Sequence, residues 1–206
     1  MAQQHTAALG AAPSSRFNPL GPFSTYAQTA LRIVTAPAAF FKEQASSPAP
    51  AATPSLVFAL ASIGLSTLVG VLLTLLIQDG AGLGIYVSVW LCVLIAGPLT
   101  LGPGSLLAHL LVKLLVPGHK SFRFTFRALA YSQVATLAAC LPGPGGIATV
   151  LGAVALSIVG MREVHQTTPG RAAVVVLVPA TLLGLLELAG AAVWFMVELS
   201  NQSWMH

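Results

Sequence analysis

The run GAGLGIYVSVWLCVLIAGPLTLGPGSLLAHLLV, Gly80 to Val112, contains no aspartate, glutamate, lysine or arginine. Drawn as one α-helix at about 1.5 Å per residue, its 33 residues would measure about 50 Å, against a hydrocarbon core of about 30 Å. Either two spans share the run, or one span kinks and protrudes. Pro98, Gly102, Pro103 and Gly104 interrupt its middle. The piece between Gly104 and Pro117 is too short to cross alone, because a crossing takes about 20 residues. The run therefore reads as one kinked span whose far end leaves the bilayer. That end carries His109 and Lys113 four residues apart, on one helix face.

On the N-terminal side, Pro54 to Ile77 is uncharged over 24 residues and reads as the first span, closed by Gln78-Asp79-Gly80. On the C-terminal side comes a basic loop, Pro117 to Arg127, with His119, Lys120, Arg123 and Arg127. In it Phe122, Phe124 and Phe126 alternate with the two arginines, a composition suited to the membrane interface, where long cations snorkel toward water. Ala128 to Leu141 is a short third span, Leu141 to Gly146 (LPGPGG) a turn, and Ile147 to Met161 a fourth span. Arg162 to Arg171 is a polar loop, and Ala172 to Val197 is a fifth span containing Pro179 and Glu187.

The charges test this layout. With five spans and a cytosolic N-terminus, Arg16, Arg32, Lys42, Lys113, Lys120, Arg123, Arg127, Arg162 and Arg171 all fall inside, and these are all nine basic residues. Splitting the long run into two spans would move Lys120 to Arg127 outside and destroy the segregation that the positive-inside rule describes. The layout puts the C-terminus outside.

Composition agrees. Only 7% of the 206 residues are charged, against about 25% in soluble domains, and 56% are hydrophobic. So few charges cannot cover a soluble surface, and so apolar a chain is not disordered. The net charge of +4 is too sparse for a nucleic-acid stripe. Cys92 and Cys140 each lie in an apolar run and form no CxxC, so they read as small buried residues. The first ten residues lack the basic-then-apolar order of a cleavable signal, which leaves insertion to an internal span. The expected organisation is a disordered tail over 1–23, an interfacial helix and Pro/Ala linker over 24–53, a five-helix transmembrane domain over 54–199 and a short tail over 200–206. The interfacial helix rests on Tyr26, Leu31, Ile33, Val34, Phe40 and Phe41 interleaved with Arg32 and Lys42 and broken by Pro37. The fold class is an all-α polytopic bundle.

Small residues at i, i+4 spacing are the expected helix contacts, because lipid removes the hydrophobic drive between helices. They are Ser62, Ser66 and Gly70 in the first span, Gly145, Thr149, Ala153 and Ser157 in the fourth, and Ala180 and Gly184 in the fifth. Glu187 is the ionisable residue deep in a span, where a charge costs at least about 2.5–3.5 kcal/mol. It calls for a partner, a cavity or water, and His109 is its candidate partner. The two form a candidate intramembrane polar site, read either as a proton or cation site or as an interhelical hydrogen bond. Arg162, Glu163 and His165 close the fourth span. They belong with Lys120, Arg123 and Arg127 to a cytosolic charged face, where pairing with Arg123 or Arg127 is favoured over a metal site. No catalytic constellation, metal site or cofactor motif is visible.

Several segments together resemble the Yip (Ypt/Rab-interacting protein) family of five-span membrane proteins, in its bacterial branch. They are YAQTALRIVTAPAAFFKE (Tyr26 to Glu43), GHKSFRFTFRALAYSQ (Gly118 to Gln133), LPGPGG, and IVGMREVHQTTPGRAAVVVLVP (Ile158 to Pro179). The chain departs from the pattern at Val134-Ala135-Thr136, where relatives commonly carry a proline. The resemblance implies an all-helical bundle with a cytosolic N-terminus in a bacterial cytoplasmic membrane. It implies membrane organisation or partner binding; the missing catalytic residues make the expected protein non-enzymatic, the helix stripes and basic cytosolic face suit protein partners or self-association, and the alternating Phe/Arg run at Ser121 to Arg127 suits the bilayer's anionic lipid headgroups. The competing reading is a small transporter or channel for protons, cations or lipids that uses Glu187 and the kinks at Pro98, Pro103 and Pro179. An intramembrane enzyme ranks last, for want of a nucleophile–base pair.

Overall fold

The computed structural model describes residues 23–47, 52–77, 83–141 and 144–203. The expected tail over 1–22, Arg16 within it, the Gln78-Asp79-Gly80 stop, Pro142-Gly143 and residues 204–206 lie outside the described residues. The described chain is helical: α1 (Phe23–Thr35), α2 (Pro37–Ser46), α3 (Thr53–Ile77), α4 (Leu83–Leu115), α5 (Phe122–Ser132), a 3-10 segment (Gln133–Cys140), α6 (Gly145–His165) and α7 (Pro169–Ser203).

Four of these helices contain stretches long and apolar enough to cross a membrane: Thr53–Ile77, Val87–Leu115, Gly145–His165 and Pro169–Gly190. The long second run is one continuous helix with Pro98 and Pro103 inside it, as the length argument required. Leu72, Leu76, Leu99, Leu114 and Leu186 point away from the bundle, a surface that water would not tolerate and lipid does.

The third expected span differs in kind from the others. Its α-helix stops at Ser132 and the chain tightens into eight residues of 3-10 helix. This composite rod runs antiparallel to α6 along its whole length. Thr125 meets His165, Ala128 meets Gly160, Ala135 meets Gly152, and the carbonyls of Ala138 and Ala139 meet Gly145. The 3-10 segment is fastened to α3 as well: the Ser66 hydroxyl donates to the Thr136 carbonyl at 2.7 Å, and the Cys140 thiol lies 3.6 Å from the Ser66 carbonyl.

The N-terminal pattern splits at Ala36. A residue before proline is pushed out of the α region, and Ala36 sits at φ −141°, ψ 57°, with Pro37 opening α2. The two helices are built into the bundle rather than lying only against its outside. Tyr26, Ala30 and Ile33 of α1 and Phe40 and Phe41 of α2 are buried with Phe58, Tyr131, Met161 and Val164. The rings form a chain: Tyr26 to Phe58 at 4.9 Å, Phe58 to Tyr131 at 5.1 Å, Tyr131 to Phe40 at 5.1 Å, and Phe40 to Phe41 at 5.3 Å. Tilted and edge-on aromatic pairs add about 0.5–1.5 kcal/mol each beyond their burial. The aromatic core thus lies where α1 and α2 close over one end of the long helices. Phe23, Leu31 and Val34 of α1 remain exposed.

Candidate functional site

The end of the bundle covered by α1 and α2 gathers the described basic residues. Lys120 Nζ donates to the Ala45 carbonyl at 2.6 Å, and Arg127 donates to Gln44 Oε1, tying α5 and its preceding loop to α2. Both cations also sit over the Phe124 ring, at 5.1 and 5.6 Å. Arg32 of α1 and Glu43 of α2 form an ion pair at 2.5 Å that bridges the break at Ala36. Lys42, Lys113, Arg123 and Arg171 stay exposed around this end.

Glu163 pairs with Arg162, its chain neighbour, at 2.5 Å, and not with Arg123 or Arg127 as the sequence suggested. Adjacency in sequence explains it: Arg162 reaches the carboxylate without ordering a second element, while Arg127 is 4% exposed and turned toward Gln44. Arg123 and Arg127 share a helix stripe, but Arg127 lies one turn deeper, under α2.

Beneath these cations lies a buried chain of polar atoms. The Lys120 backbone N–H donates to His165 Nδ1 at 3.3 Å, so Nδ1 is bare and the proton sits on Nε2. His165 Nε2–H then donates to Thr125 Oγ1 at 3.0 Å, which leaves the threonine hydroxyl to donate to His109 Nδ1 at 2.9 Å. One fixed donor, a backbone N–H, sets the tautomer of two histidines in neutral form. The His109 ring also meets the rings of His119 and Phe122 at 5.9 and 5.6 Å. His109, Thr125 and His165 are all buried. Among the described residues no group of three histidines, cysteines or acids is placed to hold a metal.

His109 and Glu187 do not share a site. His109 belongs to the covered end, whereas Glu187 lies 18 residues along α7 from Pro169, about 27 Å of helix away from that end. Glu187 instead borders a cavity of about 290 Å³ between α4, the composite rod, α6 and α7. Its polar lining includes Thr100, Ser105, Gln133 and Ser157.

The small-residue stripes divide into two kinds. Ser62, whose hydroxyl donates to the Phe58 carbonyl, accepts from the Tyr26 hydroxyl at 2.9 Å, Ser66 holds the 3-10 segment, and a Cβ at Gly70 would overlap the Trp90 indole. A Cβ at Gly145 would lie 2.6 Å from the Ala138 carbonyl oxygen. These are close approaches. Ala153, Ser157, Ala180 and Gly184 instead line the cavity, and a Cβ at Gly184 meets nothing within 4 Å. Thr149 has its hydroxyl buried with no partner among the described residues.

Sequence reading missed Thr125, Gln44, Ser105 and Gln133. Thr125 sits between two arginines in a stretch that reads as a basic loop at the membrane interface, and Gln44 reads as the polar end of the interfacial segment. Thr125 and Arg127 are buried ahead of the composition shift from Arg127 to Ala128, so that shift does not mark where burial begins. The family model described as the Yip1 domain matches residues 31–190, most of the chain. No curated protein and no solved structure matches it.

Proposed function

The chain belongs to the Yip1 domain family, a multi-pass membrane protein of apolar helices, and from that premise we propose that it is a non-enzymatic scaffold that organises the cytosolic leaflet. In this reading the chain crosses five times. The composite rod of α5 and the 3-10 segment supplies the crossing that a count of long α-helices omits. Eleven α residues at about 1.5 Å and eight 3-10 residues at about 2.0 Å rise about 32 Å, enough for a core of about 30 Å. Its end-to-end register with α6 supports this. Five crossings put the end holding α1, α2 and the basic residues in the cytosol.

The observation that carries the function is α1. Its inner face is anchored by Tyr26, Ala30 and Ile33, while Phe23, Leu31 and Val34 face outward at that same end. A helix held at the interface with an apolar outer face wedges into the leaflet. The exposed rim of Lys42, Lys113, Arg123 and Arg171 attracts anionic headgroups, at about 1 kcal/mol per basic residue near the surface. The same rim offers a docking face for partner proteins.

Reconstitution into vesicles tests this. The full chain should remodel anionic vesicles into tubules or smaller vesicles, and Leu31→Asp with Val34→Asp should abolish that while the protein still inserts. Equal remodelling by the double variant, or none by the wild type, would overturn the reading.

A further inference from the structure

The cavity runs from Glu187 to Ala108, the neighbour of His109, and the scaffold role makes no use of it. Its place in the bundle follows from one register contact. Gly104 of α4 packs against Leu183 of α7, and the two helices run antiparallel. One turn further along α7, Glu187 is level with Thr100 on α4. Ser105 lies five residues from Thr100, about 7.5 Å along the axis toward the covered end. The cavity therefore has a carboxyl at one end and hydroxyls and an amide from Ser105, Ser157 and Gln133 at the other, with Leu101, Val154 and Leu183 between. Glu187 and Gly184 are exposed on the flank of α7, so the mouth opens sideways into lipid.

Ser105 gives the inner end a hydroxyl with unused hydrogen-bonding capacity. Several helical hydroxyls in this chain fold back on the carbonyl four residues earlier, as Ser62, Thr74, Thr100 and Ser132 do. Ser105 is 0% exposed, and its hydroxyl has no partner among the described residues. Among the buried hydroxyls in that condition it is the one lining this cavity. A buried polar group without a partner is costly, and a bound hydrogen-bonding group removes that cost. The volume is at the lower end of the usual range of about 300–1,000 Å³, which suits a small molecule rather than a whole lipid.

We propose that this cavity binds a small amphiphilic amine from the bilayer, its ammonium on the Glu187 carboxyl, its alkyl body along the apolar wall, and a distal hydroxyl on Ser105. Two polar anchors about 7.5 Å apart along the axis, with apolar wall between, select that arrangement. A fatty acid would set a second carboxyl against Glu187, and a plain alkane would leave both anchors unmet.

The test uses the purified full chain in nanodiscs of neutral lipid, with 6-amino-1-hexanol, 1-hexylamine and 1-hexanol as probes read by saturation-transfer NMR. Wild type should bind 6-amino-1-hexanol saturably and more tightly than either truncated probe. Glu187→Gln should weaken 6-amino-1-hexanol at least tenfold and leave 1-hexanol unchanged. Ser105→Ala should weaken 6-amino-1-hexanol about threefold and leave 1-hexylamine unchanged. Ser105→Ala should also leave the unliganded melting temperature unlowered, since the hydroxyl it removes has no partner, which separates lost binding from lost folding. Non-saturable partition of all three probes, or equal binding by wild type and Glu187→Gln, would overturn the proposal. Both results are independent of vesicle remodelling.

Discussion

Replacing Thr125 with valine keeps the shape of the side chain and removes only its hydroxyl. That hydroxyl is the middle of the His165–Thr125–His109 chain, at 3.0 and 2.9 Å. The variant loses both bonds and leaves His165 Nε2–H and His109 Nδ1 buried without this partner. A buried donor or acceptor stripped of its partner costs about 1–3 kcal/mol, so the two together predict about 2–6 kcal/mol. At the midpoint, about 4 kcal/mol, the folding equilibrium shifts by several hundredfold, since about 1.4 kcal/mol is tenfold. The assay is reversible unfolding in mixed micelles of mild and denaturing detergent, with Thr125→Ser as control. Serine keeps the hydroxyl and forfeits one methyl group, about 1 kcal/mol. Thr125→Val within about 0.5 kcal/mol of wild type, or Thr125→Ser as damaging as Thr125→Val, would refute the assigned chain of donors.

Other substitutions probe the contacts around it. Gly70→Leu forces the Trp90 indole out of its place and breaks its 3.3 Å bond to Thr74, and should cost about 1–3 kcal/mol in the same unfolding assay. Gly118 sits at φ +70°, so Gly118→Ala should destabilise by about 1 kcal/mol or more although nothing lies within 4 Å of the added methyl. Arg32→Ala should change stability by less than about 1 kcal/mol, because the Arg32–Glu43 pair is about 40% exposed and water screens it. Burial pushes the Tyr26 phenol up, with its bond to Ser62 pulling the other way. A raised folded value means the contribution is present below the ordinary value of 10.0 and is lost as pH climbs above it. Phenolate absorbance should show Tyr26 titrating late, and Tyr26→Phe should remove that step.

The segregation of charge and the single long second helix were legible because each depends on length and on the position of a few residues. Pro37 likewise announced its own break. The buried polar chain was not legible. Thr125 is 16 residues from His109 and 40 from His165, and no local period relates positions so distant. The spacing rule found Gly70 and Ser66 because a close approach needs small residues. It also selected Ala180 and Gly184, which border a cavity, because a small residue permits an empty space as readily as a tight contact. The third segment is an apolar run of 14 residues, short for a span of α-helix. Tightening from α to 3-10 winding lengthens the rise per residue, which hydropathy does not report.

The five-crossing topology requires the rod of α5 and the 3-10 segment to pass from one side of the bilayer to the other. Single cysteines at Ser121 and Gly146 bracket it, in a background with Cys92 and Cys140 replaced. Both sites are exposed, and a Cβ at Gly146 meets nothing within 4 Å. With a membrane-impermeant maleimide on sealed vesicles of known orientation, the account predicts that Ser121→Cys labels from the cytosolic side and Gly146→Cys from the opposite one. Labelling of both from the same side would contradict it.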